Sequence, residues 1–311
     1  MIFVVCVNPA LDRLLVLEEI VLDEVHRARE VTVTAGGKGV NVARAIHTVG
    51  GRAKLLLFLG GKVGDIVEEC LSKEGLEYLV FPVDTDTRIT TVLHEERVKR
   101  HTVINEPGPL VPLKAASLLL DFLEAHLREG DYLILSGSLA RGMRLDWYAE
   151  CAKRGCLRGA KVIVDTSGEP LRRALQTPLF MVKPNAREAE EVLGFPIQSL
   201  EDKLKAVALF EEKGVECVVL SDGPRGIVAG YQGRRWLVRL REAFHGEYFI
   251  GSGDTLVGAM VFRLSEGAPF VDALRFGTAC GLANTFVRGA GIFDLAMVRR
   301  CEEVVLVEPI L

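Results

Sequence analysis

The sequence has 311 residues, 49% of them hydrophobic, and a formal net charge of −4. A chain of this size and composition can bury a large core, which fits one α/β domain with or without an appendage. Lys and Arg are dispersed among Asp and Glu and form no basic stripe with interleaved aromatic residues, so we expect no nucleic-acid partner. No apolar run reaches the length of a membrane span and no signal core is present, so we expect a cytoplasmic protein without membrane contact.

The seven cysteines are odd in number, spread along the chain and mostly embedded in apolar runs. This pattern predicts buried free thiols of a cytosolic protein. The sequence contains no Cys-x-x-Cys or His-x-x-x-His pair, and we therefore expect no dedicated transition-metal site.

The chain begins with a continuous apolar run, residues 2–7, which predicts a strand buried on both faces of a parallel sheet. Residues 14–33 predict short strands with one exposed face, and residues 88–103 predict a hairpin. We expect these pieces, at about residues 12–34 and 86–105, to form a small β-sheet lid over a cleft.

The rest of the chain alternates between predicted strands and helices. The strands are predicted at residues 54–59, 78–83, 132–135, 161–164, 180–182 and 216–220, with a hairpin around Gly233 and a terminal strand. The helices are predicted after residue 37 and at residues 64–74, 113–128, 145–153, near 171, 187–193, 200–213, 255–264 and 271–286, with one more near the end. Repeated β-α units predict a three-layer α/β/α domain around a mostly parallel sheet, with ligands beyond the carboxyl ends of the strands. We find no repeat or linker and expect a single domain over residues 1–311.

Two glycine-rich stretches each precede a predicted helix: Gly36-Gly37-Lys38-Gly39 and Gly251-Ser252-Gly253-Asp254. Glycines leave backbone N–H groups uncovered, and the unsatisfied donors of a first helical turn attract an anion such as phosphate. A carboxylate there would repel the anion unless it takes the proton from an attacking hydroxyl. The alternative is that Asp254 is an ordinary N-cap.

The common nucleotide-binding fingerprints are absent from the sequence. No Gly-x-x-x-x-Gly-Lys-[Ser/Thr] occurs, and no Gly-x-Gly-x-x-Gly follows a predicted strand. These absences argue against Walker ATPases and dinucleotide dehydrogenases.

The two glycine stretches, extended to residues 36–43 and 251–255, resemble the signature motifs of the ribokinase family of carbohydrate kinases, in its phosphofructokinase B branch. Four further motifs resemble the subgroup of 1-phosphofructokinases and tagatose-6-phosphate kinases: NPALD at 8–12, NEPGP at 105–109, SGSL at 136–139 and KPNARE at 183–188. The motifs follow in register over essentially the whole chain. The resemblance implies a ribokinase-like fold with a β lid, and an ATP-dependent, Mg²⁺-using kinase of a sugar phosphate that forms a homodimer through the lid.

The resemblance also implies roles for individual residues. Asp254 matches the catalytic base, and Gly251, Ser252 and Gly253 match positions whose N–H groups stabilise the transferred phosphoryl group. The positions that match sugar contacts are Asp12, Gly36, Gly37, Lys38 and Asn41. Without the family, Asp12 would be interpreted as a turn residue and Asn41 as a solvent-facing helix amide.

Arg88 matches the lid arginine that binds the substrate's existing phosphate, and Ser138 matches another phosphate contact. Arg27 and Lys38 are weaker candidates for that phosphate. The positions that match the nucleotide side are Lys183, Asn185, Ser221, Asp222, Gly223, Gly226 and Gly253. Glu188 matches the acid that organises Mg²⁺ through water, although by itself it fits an exposed residue of an acidic helix. The sequence departs from the family at Asp222 and Pro224, and at Ala140, where the subgroup usually has proline.

The leading hypothesis is phosphorylation of fructose 1-phosphate to fructose 1,6-bisphosphate, because Asn105 and Pro107 look closer to 1-phosphofructokinases than to tagatose-6-phosphate kinases. Tagatose 6-phosphate or fructose 6-phosphate is the alternative acceptor. A non-catalytic sugar-phosphate sensor has no need of the intact Asp254 loop. A nucleoside kinase is disfavoured by Lys38 and Arg88, since a nucleoside offers them no phosphate.

Overall fold

The structure is a computed structural model that describes residues 1–310. The strands over this range are β1 (Ile2–Cys6), β2 (Ala10–Leu17), β3 (Glu30–Gly36), β4 (Lys54–Leu59), β5 (Glu77–Pro82), β6 (Arg88–Glu95), β7 (Arg100–Asn105), β8 (Tyr132–Ser136), β9 (Lys161–Asp165), β10 (Leu179–Val182), β11 (Val215–Ser221), β12 (Ile227–Tyr231), β13 (Arg234–Leu240) and β14 (Val305–Ile310). The α-helices are α1 (Lys38–Thr48), α2 (Gly61–Lys73), α3 (Leu113–His126), α4 (Trp147–Leu157), α5 (Gly168–Ala174), α6 (Ala186–Leu193), α7 (Leu200–Glu212), α8 (Ser252–Ser265), α9 (Phe270–Asn284) and α10 (Leu295–Val304).

The main sheet of the described chain has ten strands in the order β14-β13-β12-β11-β10-β9-β8-β1-β4-β5. The strands from β11 to β5 pair in parallel, whereas β12, β13 and β14 extend one edge in antiparallel pairs. The mostly parallel central sheet is therefore confirmed. The predicted hairpin around Gly233 is β12–β13, and the terminal strand pairs with β13.

The core lies on both faces of this sheet because its central strands are apolar on both sides. In β1, Val4 and Cys6 pack into one hydrophobic cluster and Phe3 and Val5 into the other. The first cluster contains residues of α1, α8 and α9, and the second contains residues of α3, α4, α6 and α7. Two helix layers around one sheet form the three-layer α/β/α arrangement that the sequence predicts.

A second, smaller sheet has the strand order β3-β2-β6-β7. β2 pairs antiparallel with β3 and parallel with β6, and β6 and β7 form the predicted hairpin. The strands fall close to the predicted segments, but residues 18–29, between β2 and β3, contain no strand.

The cysteines are free, as predicted. Five of them are buried as predicted, whereas Cys70 and Cys156 are only half-buried. Within residues 1–310, no helix combines the length and the apolar composition needed to cross a bilayer.

Candidate active site

Helix α8 begins at the second glycine stretch. Its N-cap is Gly251, whose φ of 81° lies in the left-handed region, and a Cβ there would stand 2.7 Å from Ala290. Both conditions favour glycine. Among the described residues, the N–H groups of Gly253 and Asp254 have no hydrogen-bond acceptor, so these first-turn donors are available to an anion. The N–H of Ser252, which the resemblance also predicted as a donor, instead donates to the carbonyl oxygen of Phe249 at 3.3 Å. Asp254 is the third residue of the helix, so the N-cap alternative is wrong.

A buried asparagine at the end of α9 holds this loop in place. The amide nitrogen of Asn284 donates to the carbonyl oxygens of Tyr248 and Ile250 at 3.3 and 3.0 Å, and to Ser252 Oγ at 3.2 Å. Its oxygen accepts from the N–H of Gly291 at 2.8 Å. Asn284 therefore fixes the chain on both sides of the helix start. Sequence analysis missed it; its only signal is an amide that directly follows the apolar run at residues 279–283.

The Asp254 carboxyl is buried, with 6% of the residue exposed, and its Oδ2 accepts a hydrogen bond from Asn41 Nδ2 at 2.8 Å. Burial raises the pKa of Asp254 from 3.8 to about 6, and the Asp165 charge acts in the same direction. The ammonium group of Lys38, the Asn41 amide and the Lys183 ammonium oppose the shift. A carboxyl with this pKa is ionised at neutral pH and can accept a proton.

A carboxylate that the sequence analysis missed, Asp165, is the last residue of β9 and lies at the same edge of the sheet. It is 1% exposed, and its Oδ1 lies 3.2 Å from Lys38 Nζ and 3.6 Å from Lys183 Nζ. Lys38 also lies 3.5 Å from Glu188, and Asp165 is the largest cause that raises the pKa of Lys38. The Lys38 charge is thus paired with two carboxylates, so it no longer argues against a nucleoside substrate. That argument now rests on Arg88, whose hydrogen bonds within residues 1–310 go to neutral oxygens.

Lys183 lies between this network and the start of α8. A Cβ on Gly253 would stand 3.2 Å from Lys183 Nζ, which places the ammonium group against the first helical turn. The glycine at this position makes the approach possible. A charged donor and the free N–H groups of the turn therefore face the same space.

Asp12 and the first glycine stretch meet at the start of α1. A Cβ on Gly36 would collide with the Asp12 carboxyl, and Gly37 has a φ of 104° as the N-cap of the helix. Burial raises the pKa of Asp12 to about 6, while the charges of Arg88 and Arg44 oppose the rise. The absence of a side chain at Gly36 therefore lets the Asp12 carboxyl lie directly against the backbone.

Asn8 joins the predicted phosphate contacts, which lie at the junction of the two sheets. Its carbonyl oxygen accepts from Arg88 Nε and Nη2 at 3.4 and 3.2 Å, and its side chain donates to Ser138 Oγ at 3.0 Å. Arg88 Nη1 also donates to Asn105 Oδ1 at 3.1 Å. Arg88 and Ser138 are thus brought together, whereas Arg27 is exposed in the segment between β2 and β3.

The predicted nucleotide residues lie side by side. Asn185 caps α6 in a reciprocal capping box with Glu188, and it forms a β-bridge to Ser221. Asp222 forms ion pairs with Lys203 and Arg225 at 2.5 and 2.8 Å. A short 3₁₀ turn, Gly223–Arg225, follows Asp222. Gly223 at its start and Gly226 directly after it both have positive φ.

A cavity separates the small sheet from the segment that leads to Gly251. It is lined by Asp12, Thr34, Val92, His101, Tyr248 and Ile250, among others. Side-chain hydrogen bonds connect the two walls of the cavity. Tyr248 Oη lies 3.3 Å from His94 Nε2 and accepts from Arg288 Nε at 2.7 Å. Arg288 also pairs with Glu96 at 3.1 Å. The cavity therefore extends from the small sheet to the segment directly before Gly251.

A family model, the pfkB family carbohydrate kinase, matches residues 1–295. The chain belongs to this family. As a pfkB family carbohydrate kinase, it is an ATP-dependent phosphotransferase.

Relatives and solved structures agree with the family assignment. The 1-phosphofructokinase of Bacillus subtilis is 29% identical over 293 residues, 94% of each chain. A structure described as a possible 1-phosphofructokinase of Thermotoga maritima has a TM-score of 0.91 at 27% identity and covers 100% of both chains. Phosphofructokinase-2 of Escherichia coli, in complex with substrates and products, has a TM-score of 0.92 at 27% identity and covers 97% of this chain and 98% of that one.

The fold class is confirmed by a more distant likeness. Ribokinase of Arabidopsis thaliana has a TM-score of 0.75 at 21% identity, covering 97% of this kinase and 98% of that chain, which shows a shared fold. The α/β ribokinase-like architecture predicted from the sequence is therefore correct.

Proposed function

We propose that this kinase transfers the γ-phosphoryl group of ATP to a ketohexose phosphate, with fructose 1-phosphate as preferred acceptor and fructose 1,6-bisphosphate as product. The observation that carries the proposal is the buried Asp254 carboxyl in the first turn of α8, beside N–H groups that are free in the described chain. An anion site that holds the transferred phosphoryl group, with a base beside it that accepts the hydroxyl proton, accelerates phosphoryl transfer to a hydroxyl.

In the proposed reaction, the sugar hydroxyl oxygen attacks the γ-phosphorus in line with the departing oxygen of ADP. A new P–O bond forms, the bond to ADP breaks, and the hydroxyl proton passes to the Asp254 carboxylate. The N–H groups of Gly253 and Asp254, with the ammonium of Lys183, stabilise the charge on the transferred group. Removing one such donor typically lowers the rate by about a hundredfold to a thousandfold.

The sugar lies, in this proposal, between Asp12 and the glycines of the first stretch. The carboxylate of Asp12 accepts from sugar hydroxyls, and Gly36 and Gly37 admit the ring close to the backbone. Asn41 contributes the second hydrogen of its amide. The existing phosphate binds Arg88 and Ser138, which Asn8 holds together at the far end of the site.

Fructofuranose has a CH₂–O group on each side of its ring, so either end can reach the base. Fructose 1-phosphate would be attacked through its 6-hydroxyl and fructose 6-phosphate through its 1-hydroxyl, with the same product. Asn105 is one of the two residues on which the choice of fructose 1-phosphate rests. Its Oδ1 accepts hydrogen bonds from both Arg88 Nη1 and Thr90 Oγ1 at 3.1 Å. The 1-phosphofructokinase of Bacillus subtilis among the relatives supports the same choice.

On the nucleotide side, we propose that Lys183, Asn185 and the loop from Ser221 through Asp222 and Gly223 to Gly226 contact ATP. Because Asp222 is already in two ion pairs, we assign its backbone rather than its carboxylate to the nucleotide.

Mg²⁺ fits the donors at this edge. Within residues 1–310, Asp165 Oδ2 is buried without a partner, and Glu188 is close to the same Lys38 ammonium. Mg²⁺ prefers oxygen ligands, keeps several waters and uses few carboxylates when phosphates are present. Glu188 would hold it through water. When bound, the ion neutralises charge on the ATP phosphates.

We also propose that residues 1–311 are one kinase domain, that the small sheet is its lid, and that the protein is a homodimer through that lid. Thr32 and Thr34 line the cavity, so Val31 and Val33 lie on the opposite face, where 50% and 42% of their surface is exposed. An exposed apolar sheet face favours association with a second copy. Light scattering should show a dimer, and Val33→Asp should give a monomer. A wild-type monomer at assay concentration would refute this part.

A panel of sugar phosphates assayed with ATP and Mg²⁺ tests the proposed acceptor. We expect the highest specificity constant for fructose 1-phosphate, with fructose 6-phosphate and tagatose 6-phosphate as weaker substrates. A higher constant for either competitor would replace the proposed substrate, and turnover of a nucleoside alone would replace the substrate class. Binding of a sugar phosphate without turnover would indicate a sensor.

A further inference from the structure

Arg44, on the buried face of α1, is 6% exposed and makes five hydrogen bonds with its five N–H donors. Nε and Nη2 bind the carboxylate of Glu74 at 2.6 and 2.9 Å. Nη2 also donates to the carbonyl oxygen of Ala35 at 2.6 Å. Nη1 donates to the carbonyl oxygen of Ala290 at 2.8 Å and to Asn41 Oδ1 at 3.1 Å. The guanidinium group is therefore fully satisfied in one orientation.

Three of these acceptors, on Ala35, Ala290 and Asn41, belong to segments that form the candidate active site. Ala35 precedes the sugar-side glycines, Ala290 packs on Gly251, and Asn41 binds the catalytic carboxylate. A rigid planar fork with five donors can bridge these segments in a way that a lysine cannot.

We propose that Arg44 is a positioning residue for phosphoryl transfer: it fixes the Asn41 carboxamide so that the amide N–H, and not the oxygen, faces Asp254. This inference rests on the proposed function of Asp254 as the base. Because Arg44 only donates, the Asn41 atom that it contacts must be the oxygen. The amide nitrogen is then directed at the carboxylate, with its second hydrogen left for a sugar hydroxyl.

The orientation matters because the reversed amide would place an oxygen against the Asp254 oxygens. That arrangement disfavours the ionised carboxylate and favours its protonated form, which cannot accept a proton. The other charged groups that face Asp254 are Lys38, Lys183 and Asp165, and they are unchanged by substitution of Arg44. Substitution of Arg44 also removes a charge that lowers the pKa of Asp12, so the titration of Asp254 itself, and not the acidic limb alone, reports the Asn41 amide. A limb that moves while the Asp254 titration stays in place would report Asp12 and overturn the inference.

The test compares wild type, Arg44→Lys and Arg44→Met through the pH dependence of kcat/KM. In the wild type, the acidic limb should fall below a pH of about 6, where both Asp254 and Asp12 become protonated. In Arg44→Met we expect this limb to move to higher pH and kcat to fall by up to about a hundredfold, the effect of a misplacement of about 1 Å. Arg44→Lys should be intermediate. Arg154→Met removes an ion-paired arginine on α4 and should leave the limb in place.

A second readout needs no turnover. The difference in unfolding temperature between each protein and its Asp254→Asn counterpart, followed against pH, reports the Asp254 titration. An inactive wild type would overturn the proposed function, while this titration would still decide the role of Arg44.

If Arg44→Met does not fold, Glu74→Gln decides the inference. This substitution weakens the acceptor of two Arg44 N–H donors, and the Glu74 side chain is 27% exposed, so the fold should tolerate the change. The acidic limb should move in the same direction as in Arg44→Met, but by a smaller amount. A folded Arg44→Met, or failing that a Glu74→Gln, with the wild-type limb and kcat would overturn the inference.

Discussion

The amide nitrogen of Asn41 lies 2.8 Å from Oδ2 of Asp254, although 213 positions separate the two residues in the chain. The contact joins the two glycine-rich stretches, because Asn41 belongs to α1 and Asp254 to α8. The helix that follows Gly36 and Gly37 therefore also carries the amide that contacts the proposed base. The buried hydrogen bond between Asn41 and Asp254 thus connects the proposed base to the proposed sugar site.

Substitution Asp254→Asn tests the base. The amide keeps the shape of the carboxyl and can still accept from Asn41, but it cannot take a proton from the attacking hydroxyl. We expect turnover to fall by at least about a hundredfold, the lower range for general acid–base catalysis, with binding of ATP and sugar phosphate largely unchanged. Steady-state kinetics measures the turnover, and calorimetric titration measures the binding of ATP and sugar phosphate. Near-normal turnover would remove Asp254 from the mechanism.

The same substitution should stabilise the folded protein at neutral pH. The pKa of Asp254 is about 6 in the folded state against an ordinary 3.8, so the folded protein binds a proton more readily than the unfolded chain. Stability from this group is present below pH 4 and is lost as the pH rises through 6. The shift corresponds to a cost on the order of 3 kcal/mol at pH 7. Asp254→Asn should therefore raise the free energy of unfolding at pH 7.5 and add little at pH 4. Urea unfolding at both pH values measures it, and an equal effect at the two would contradict the linkage.

The local pattern of the chain was sufficient to predict the sheets. The apolar run of β1 and the one-sided strands of the small sheet depend on neighbours in sequence, and both were correctly assigned. The interactions of Asp165, Asn284 and Arg44 were not predictable in this way. Their partners lie far away in the chain, and an isolated polar residue in an apolar stretch shows only that it must have a partner once buried.

Lys38 is a residue that the sequence identified but whose partner it did not. The motif identified the residue, yet its closest charge is Asp165, at a distance of 3.2 Å and 127 positions away. A motif can name the residues at a site, but burial and pairing decide which charges are left for a ligand.

Arg88→Ala tests the phosphate end. The guanidinium group should bind the existing phosphate, and loss of a charge-assisted hydrogen bond costs about 1.5–3 kcal/mol. We therefore expect the KM for the sugar phosphate to rise by about tenfold to a hundredfold, with the KM for ATP nearly unchanged. The control is Arg52→Ala, which removes an exposed arginine before β4. Equal increases for both substrates would show that Arg88 acts on the whole site.

Glu188→Gln tests the proposed Mg²⁺ contact separately from folding. Glu188 is the third residue of α6 and completes the capping box of Asn185, a position where glutamine also serves. The fold should therefore survive while the negative charge is lost. Because a carboxylate holds the water shell of Mg²⁺ more strongly than a neutral amide, the Mg²⁺ concentration for half-maximal activity should rise severalfold. Glu191→Gln, an exposed change on the same helix, is the matched control. If both variants show the wild-type Mg²⁺ dependence, Glu188 is only a helix cap, and Asp165 becomes the remaining carboxylate to test.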